Sequence, residues 1–353
     1  MVDLIANGAA TSPVTTEPAL RATGLVLHYP AEARGRTRRG RRVVHAVDGV
    51  DVELWPGQVT AVVGESGSGK SSLARLLCRL TAPTAGRLWL EGGKVSLSAR
   101  RSRRYRRQVQ LIMQDPFSSL NPVHSVRYQL SRPVKVHHMA GPGGAEAAVE
   151  ALLERVKLTP PSRYLDRLPH ELSGGQLQRV AIARCLAVEP HVLLADEPVS
   201  MLDVSIRLGV LNLLAELCER ERLAVLYITH DLASARYLAT TILVMYAGQV
   251  VEDGPAAQVV EQPGHPYTQL LLSASADPER TETVRLPATG APPSLIDPPK
   301  GCRFHPRCPH AMPVCAAVAP PDVEVAPGQH AACWLHVDPA DRPRPPATEA
   351  GTP

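Results

Sequence analysis

"QVTAVVGESGSGKSSLARLLCRL", running from Gln58 to Leu80, decides the fold. Its opening, "QVTAVVG", is a compact apolar run ending in glycine, the pattern of a buried strand. "SSLARLLCRL" follows with apolar residues at helical spacing. Between them, "GESGSGKS" fits G-x-x-x-x-G-K-[ST], in the strand–loop–helix setting that this motif requires. Gly64, Gly67 and Gly69 let the backbone turn tightly. The N–H groups along Ser66 and Ser68, and those of the helix start at Ser71 and Ser72, then point at phosphate oxygens. Lys70 supplies a point charge to the β/γ-phosphates, and the Ser71 hydroxyl is a ligand for Mg²⁺.

Working outward, short buried-looking strands recur in "QVQLIMQ", "HVLLADE", "LAVLYITH" and "TILVMYAG", with helical stretches such as "VLNLLAELCERE" between them. Alternation of this kind predicts an α/β domain around a largely parallel sheet, spanning residues 19–276. "HVLLADEP" delivers Asp196 and Glu197 at the C-terminal end of its strand, where open α/β sheets bind ligands. Asp196 is placed to orient a Mg²⁺ shell. Glu197 can take a proton from an attacking water, a role typically worth about 10²–10⁴-fold in rate. By itself an Asp–Glu pair after a strand can also be a solvated turn; the phosphate loop favours the chemical reading.

Composition sets the outer limits. The 353 residues are 44% hydrophobic with a net charge of +4, ordinary for a globular chain large enough to bury a core. No run approaches the length of a membrane span. Residues 1–18 lack both a basic region and an apolar core, so they read as a disordered tail rather than a secretion signal, and a cytosolic chain is expected. Two arginine runs, Arg34 to Arg42 and Arg100 to Arg107, read as solvated loop or strand-edge charge. A nucleic acid, a bilayer surface or an acidic partner would also attract them, but no nucleic-acid reading motif accompanies them.

"HELSGGQLQR", His170 to Arg179, presents a second Gly-rich run opening a helix. It reads either as an ordinary N-cap or as a second phosphate contact, through Ser173, Gly174, Gly175 and Gln176. His230, in "ITHD", is a lone histidine after a strand. It is structural, or it faces the same site as Glu197.

The order of these motifs resembles the ATP-binding cassette family, and the likeness covers nearly everything up to Ala276. "GESGSGKSS" looks like its Walker A, "HVLLADEP" like its Walker B and "LSGGQ" like its signature. Gln114 looks like the Q-loop glutamine, "SMLD" with Asp203 like the D-loop, and His230 like the switch histidine. Tyr29 matches the aromatic that stacks on adenine, with His28 beside it. The resemblance implies a RecA-like core, a helical signature subdomain, and two cassettes packed head to tail. Each ATP then lies between one Walker A and the other chain's signature. It also implies that Gln114 joins Ser71 on Mg²⁺, and that Gln114 and His230 act with Glu197 in catalysis. Met201 departs from the small residue usual in the D-loop.

"QDPFSSLNP", "DEPVSMLDVSIR", "GHPYTQLLLSA" and "PPKGCRFHPRC" further resemble the ATPases of oligopeptide/dipeptide importers. That likeness implies work beneath two membrane permease subunits at the cytoplasmic face of the membrane. It also implies pairing with a second cassette, expected to be a different chain, an indirect peptide-binding protein, and no nucleic acid. "FSSLNPVHSV" would form part of the groove that receives a permease helix. Nickel and glutathione importers share these features and stay open as alternatives, as does, less favoured, a soluble cassette acting on nucleic acid or ribosomes.

After Ala276 the composition turns Pro-rich and polar, which marks residues 277–338 as an extension and 339–353 as a second disordered tail. Cys78, Cys185 and Cys218 sit in apolar helical patterns and read as core. Cys302, Cys308, Cys315 and Cys333 crowd the extension with spacings C-x5-C-x6-C-x17-C. A disulfide framework is not expected in the cytosol. Four thiolates could close a Zn²⁺ site, with His305 and His310 as substitutes, or hold an iron–sulfur cluster, or stay uncoordinated. Resemblance to peptide-importer ATPases with a C-terminal [4Fe–4S] cluster favours the cluster, in a structural or regulatory role.

Overall fold

The computed structural model describes residues 17–31, 42–96, 99–274, 291 and 293–343. The first arginine run apart from Arg42, residues 1–16 of the expected N-terminal tail and 344–353 of the second lie outside these. The strands are β1 (Leu20–Pro30), β2 (Val43–Leu54), β3 (Val59–Val63), β4 (Ala85–Leu90), β5 (Gly93–Lys94), β6 (Val109–Ile112), β7 (Val192–Asp196), β8 (Ala224–Thr229), β9 (Thr241–Tyr246), β10 (Gln249–Pro255), β11 (Asp322–Ala326) and β12 (Gln329–Ala332). The helices are α1 (Lys70–Leu77), α2 (Ala99–Gln108), α3 (Pro116–Ser119), α4 (Val126–Val136), α5 (Gly144–Arg155), α6 (Gly174–Leu186), α7 (Val204–Glu221), α8 (Leu232–Leu238), α9 (Ala256–Glu261), α10 (Pro266–Ala274) and α11 (Pro313–Ala317).

The main sheet has the order β11-β12-β10-β9-β3-β8-β7-β6. From β9 to β6 the neighbours run parallel, whereas β10, β12 and β11 join antiparallel. Four of the parallel strands, β3, β7, β8 and β9, are buried on both faces, which is why they read as apolar runs; β6, at the edge, is half-buried at Gln110 and Leu111. Alternate residues feed two cores. Val59, Ala61 and Val63 of β3, with Leu193 and Ala195 of β7, face a core shared with helices α4 to α7. Val62, Leu194 and Leu226 face a second core that contains α1 and an antiparallel sheet ordered β2-β1-β4-β5. Cys78, Cys185 and Cys218 are buried, as expected.

Two features differ from the sequence reading. The second arginine run is helix α2, not loop or strand edge. Tyr105 is buried on its inner face and donates its hydroxyl to the Leu77 carbonyl, while Arg103, Arg104 and Arg106 are exposed. Arginine is a good helix former, and one buried aromatic suffices to fix the face. The second difference concerns the extension. The compositional break at Ala276 is not a break in the sheet, because β12 pairs with β10 through Glu252–Ala331 and Asp253–His330. Without it, β10 would present an unpaired edge. Past residue 338 the chain continues in a short turn to Pro343, where Arg342 Nε donates to the Val337 carbonyl at 3.0 Å.

Candidate nucleotide site

The phosphate loop lies between β3 and α1 at the centre of the sheet. Gly69 precedes α1 with φ +105°, and a Cβ there would stand 2.2 Å from the Ala46 carbonyl oxygen, so only glycine fits. Lys70 Nζ donates to the carbonyls of Gly64 at 2.7 Å and Glu65 at 2.8 Å, closing the loop on itself. Burial pushes the Lys70 pKa down, while the carboxylates of Glu197, Asp196 and Glu65 work to restore it. A polyphosphate would add to that restoring charge.

Beside the loop, Ser71 Oγ donates to Asp196 Oδ1 at 3.0 Å, joining the two candidate Mg²⁺ ligand segments across β3 and β7. Burial raises the Asp196 pKa, against the Ser71 hydrogen bond. Glu197 follows with φ +47°, a left-handed conformation in a non-glycine residue, and its N–H donates to the Ile228 carbonyl at 3.0 Å. Its carboxylate accepts from Gln114 Nε2 at 3.2 Å and lies 3.4 Å from His230 Nδ1. The three candidate catalytic residues therefore converge, although they come from the ends of β6, β7 and β8. A strained backbone at the carboxylate between them is the pattern expected of a working group.

The signature residues sit apart from this cluster. Ser173 caps α6 by accepting from Gln176 N at 3.4 Å, and Gln176 Oε1 accepts from Ser173 N at 3.0 Å. This is a capping box, so the N-cap reading of the sequence holds locally. Among the described residues, no hydrogen bond joins Ser173 to Gln176 with the phosphate loop of their own chain. Gly174 and Gly175 instead pack against Leu202 and Ile206, on either side of Asp203, which caps α7 without a side-chain bond. Tyr29 is half-buried on β1 opposite Val44.

A profile of the ABC transporter family matches residues 47–200, and one of the oligopeptide/dipeptide transporter C-terminal region matches residues 251–315. The oligopeptide transport ATP-binding protein AppF of Bacillus subtilis is 43% identical over 298 residues, covering 83% of this chain and 90% of its own length. The chain belongs to the ABC transporter ATP-binding proteins of the oligopeptide/dipeptide family. Solved cassettes share the fold. The cbiO1 structure of Clostridium perfringens, part of an ABC transporter complex, superposes with a TM-score of 0.60 at 27% identity, over 70% of this chain and 92% of that one. A dimeric ATP-binding cassette bound to ADP and phosphate gives 0.58 at 26% identity, over 67% and 98%. This ABC protein is accordingly an ATPase. No helix among the described residues is long and apolar enough to cross a membrane.

The four extension cysteines are free thiols. Cys302 N donates to the Cys315 carbonyl at 2.8 Å, and Cys315 packs with Val314 and Trp334 in a small separate core. Burial pushes the Cys302 and Cys333 thiols up to about 11, with the neighbouring cysteines adding to the rise. Among the described residues, one group of three His, Cys, Asp or Glu has its ligand atoms all within 4.8 Å: His28, His45 and Asp48. No three of the cysteines approach so closely, alone or with His305 or His310. Zinc bonds of about 2.3 Å would bring sulfurs to about 3.8 Å from one another, so a closed zinc tetrahedron does not fit this spacing. His305 Nδ1 is moreover engaged with the Cys302 carbonyl at 2.7 Å. The His28–His45–Asp48 group is a hydrogen-bonded cluster, and Arg303 donates to Asp48 Oδ2 from the extension. Burial would raise the Asp48 carboxyl, but the bonds from Arg303, His45 and His28 prevail and hold it low.

Sequence reasoning missed the residues that brace the phosphate loop from outside. Tyr267 Oη accepts from Glu65 N at 2.8 Å, and Arg307 forms two bonds to the Glu65 carboxylate at 2.8 and 2.9 Å. Both lie in stretches already singled out, "GHPYTQLLLSA" and "PPKGCRFHPRC". The available signal was a pair of arginines, Arg303 and Arg307, each next to a cysteine of the motif.

Proposed function

We propose that this ATPase powers import of di- and oligopeptides, as the nucleotide-binding subunit of a membrane ABC transporter. The observation that carries the catalytic part is the convergence of Gln114 and His230 on the Glu197 carboxylate, next in the chain to Asp196 and its bond from Ser71. In this reading Gly64 to Ser72 bind the phosphates of ATP and Tyr29 stacks on its base. Ser71 and Gln114 would hold Mg²⁺ with Asp196 beside them, and the ion would supply positive charge to the phosphate oxygens. Glu197 takes the proton of the attacking water, while Gln114 and His230 hold that water and the γ-phosphate in line.

The signature Ser173, Gly174, Gly175 and Gln176, with Asp203, serve the ATP of a second cassette, a different chain. Their lack of hydrogen bonds to their own chain's loop, among the described residues, favours that arrangement. The two cassettes sit at the cytoplasmic face of the membrane against two permease subunits, fed indirectly by a peptide-binding protein. No nucleic acid takes part. Exposed Met113, Phe117 and Val123 offer the apolar surface that a permease helix would cover.

Cys302, Cys308, Cys315 and Cys333 hold a [4Fe–4S] cluster. Four thiols gathered in one small extension, too widely spaced for a single zinc ion, suit a polynuclear centre. Its chemistry there is to ionise the thiols and staple a segment with little apolar core. Domain limits of 19–276 and 277–338 describe the composition, with both parts sharing one sheet.

The test is capture of the tagged full-length chain from its host membrane, followed by peptide uptake in proteoliposomes with the subunits recovered. Two permeases, a second cassette and ATP-dependent uptake of labelled peptides are expected. Uptake of nickel or glutathione with no response to peptides would overturn the cargo assignment.

A further inference from the structure

Glu65 is the second residue of the phosphate loop, and three separate groups fix it. Its N–H donates to Tyr267 Oη at 2.8 Å, its carbonyl accepts from Lys70 at 2.8 Å, and its carboxylate receives the paired bonds of Arg307. Arg307 belongs to the extension, lies one residue before Cys308, and is only 8% exposed. It also reaches Tyr246 Oη at 3.3 Å, and its guanidinium stands 5.8 Å from the ring centres of Tyr246 and Phe304. Phe304, fully buried, packs on Tyr246, Tyr267 and His265. A second arginine of the same motif, Arg303, donates to the carbonyl of Ala247 and to Asp48. The next residue along from Ala247, Gly248, donates its N–H to the Ser68 carbonyl at 2.8 Å. The cysteine motif thus grips both sides of the loop.

We propose that Arg307 is a positioning residue for the nucleotide, holding the phosphate loop in its binding conformation through Glu65. ATP affinity in this chain then depends on how the cysteine-bearing extension is seated. This inference rests on the phosphate-loop reading of Gly64 to Ser72. Two effects act in the same direction. A glycine-rich loop held in place loses less conformational freedom when phosphates bind. Arg307 also neutralises a carboxylate that would otherwise repel a polyanion from the loop itself. A bidentate, nearly buried guanidinium pair is the strong form of such a contact.

The experiment is calorimetric titration of MgATP into the full-length chain, with KM and kcat measured in the assembled transporter. Arg307→Gln is expected to weaken MgATP binding and raise KM about tenfold, the loss of about one charge-assisted bond. The maximal rate should stay within about twofold, because no reacting group is moved. In a Glu65→Gln background the same substitution should add less than about twofold, since the two residues act as a pair. Arg307→Lys keeps the charge but not the parallel bonds, and should fall between. Wild-type affinity in Arg307→Gln, or an equal penalty in both backgrounds, overturns the inference. If Arg307→Gln does not fold, wild-type affinity in Arg307→Lys overturns it instead. Lys70→Ala separates the two layers. If it binds MgATP normally, the phosphate-loop reading fails; if it alone loses binding, only the role of Arg307 fails.

Discussion

Gln114 and Glu197 are 83 residues apart in sequence, yet the Gln114 amide donates to the Glu197 carboxylate at 3.2 Å. Parallel pairing of β6 with β7 brings them together, because Ile112 lies opposite Ala195 and two further residues along each chain lead to Gln114 and Glu197. His230 arrives the same way, from the end of β8 next to β7. Replacing Glu197 by Gln preserves shape and removes the proton acceptor. Glu197→Gln should therefore bind MgATP normally, lose about 10²–10⁴-fold in turnover, and remain as a closed pair of cassettes. Steady-state hydrolysis and size-exclusion chromatography with MgATP check this. A variant with normal turnover would remove Glu197 as the base.

Gly175 reports on the signature helix. A Cβ there would lie 2.4 Å from Ile206 Cγ2, on the stiff branched end of a residue in α7. Gly175→Ala should cost about 1–3 kcal/mol of stability by overpacking. It should lower hydrolysis in the assembled pair while leaving MgATP binding to a single chain intact. Adding Ile206→Ala removes the obstructing methyl and should restore both stability and rate. Failure of that rescue would show that Gly175 is needed for something other than packing.

Much of this is legible in the sequence. Four of the five parallel strands are mostly apolar and buried along nearly their whole length, and Lys70, Asp196, Glu197 and His230 lie at or beyond their C-terminal ends, where ligands bind. Tertiary context supplied the rest. The arginine run at α2 hid a single buried tyrosine among polar residues, too weak a period to show the helix. Strands β11 and β12 are short and half-exposed, with no apolar run to mark them, and they form because β10 needs an edge partner. The hold on Glu65 by Tyr267 and Arg307 joins residues 202 and 242 positions apart, a separation that no local pattern encodes.

His265 provides a pH signature for the junction of cassette and extension. It is 1% exposed, and its Nδ1 accepts from Tyr267 N at 3.0 Å, which requires the neutral ring. Burial, aided by the charge of His336, pushes its pKa down to about 3, against 6.5 when unfolded. Below pH 6.5 the unfolded chain takes up a proton that the folded chain refuses until about pH 3. Stability is then fully present above pH 6.5 and falls with decreasing pH, by about 1.4 kcal/mol per unit from this residue. His265→Gln should remove one proton's worth of slope in denaturant unfolding measured between pH 6.5 and 4.5. An unchanged slope would mean that His265 is protonated in the fold.

The cysteines supply the last prediction, and it depends on spacing rather than number. A single tetrahedral ion would need sulfurs about 3.8 Å apart, and no three of these come within 4.8 Å of one another. A cluster spreads its ligands over several metal atoms, so it does not require sulfurs about 3.8 Å apart, and it can draw its thiolates from separate segments: Cys302 before a short turn, Cys315 within α11, Cys333 after β12. Neutral thiols with pKa values near 11 would ionise on binding it, releasing protons to the medium. The chain purified without air should be brown and contain about four iron atoms per molecule. Cys315→Ser, at one of the two buried cysteines of the set, should lose iron and colour together, and lower the melting temperature of the chain. Stoichiometric zinc in a colourless preparation would instead require the cysteines to draw together, and a crystal structure of that preparation would show them doing so.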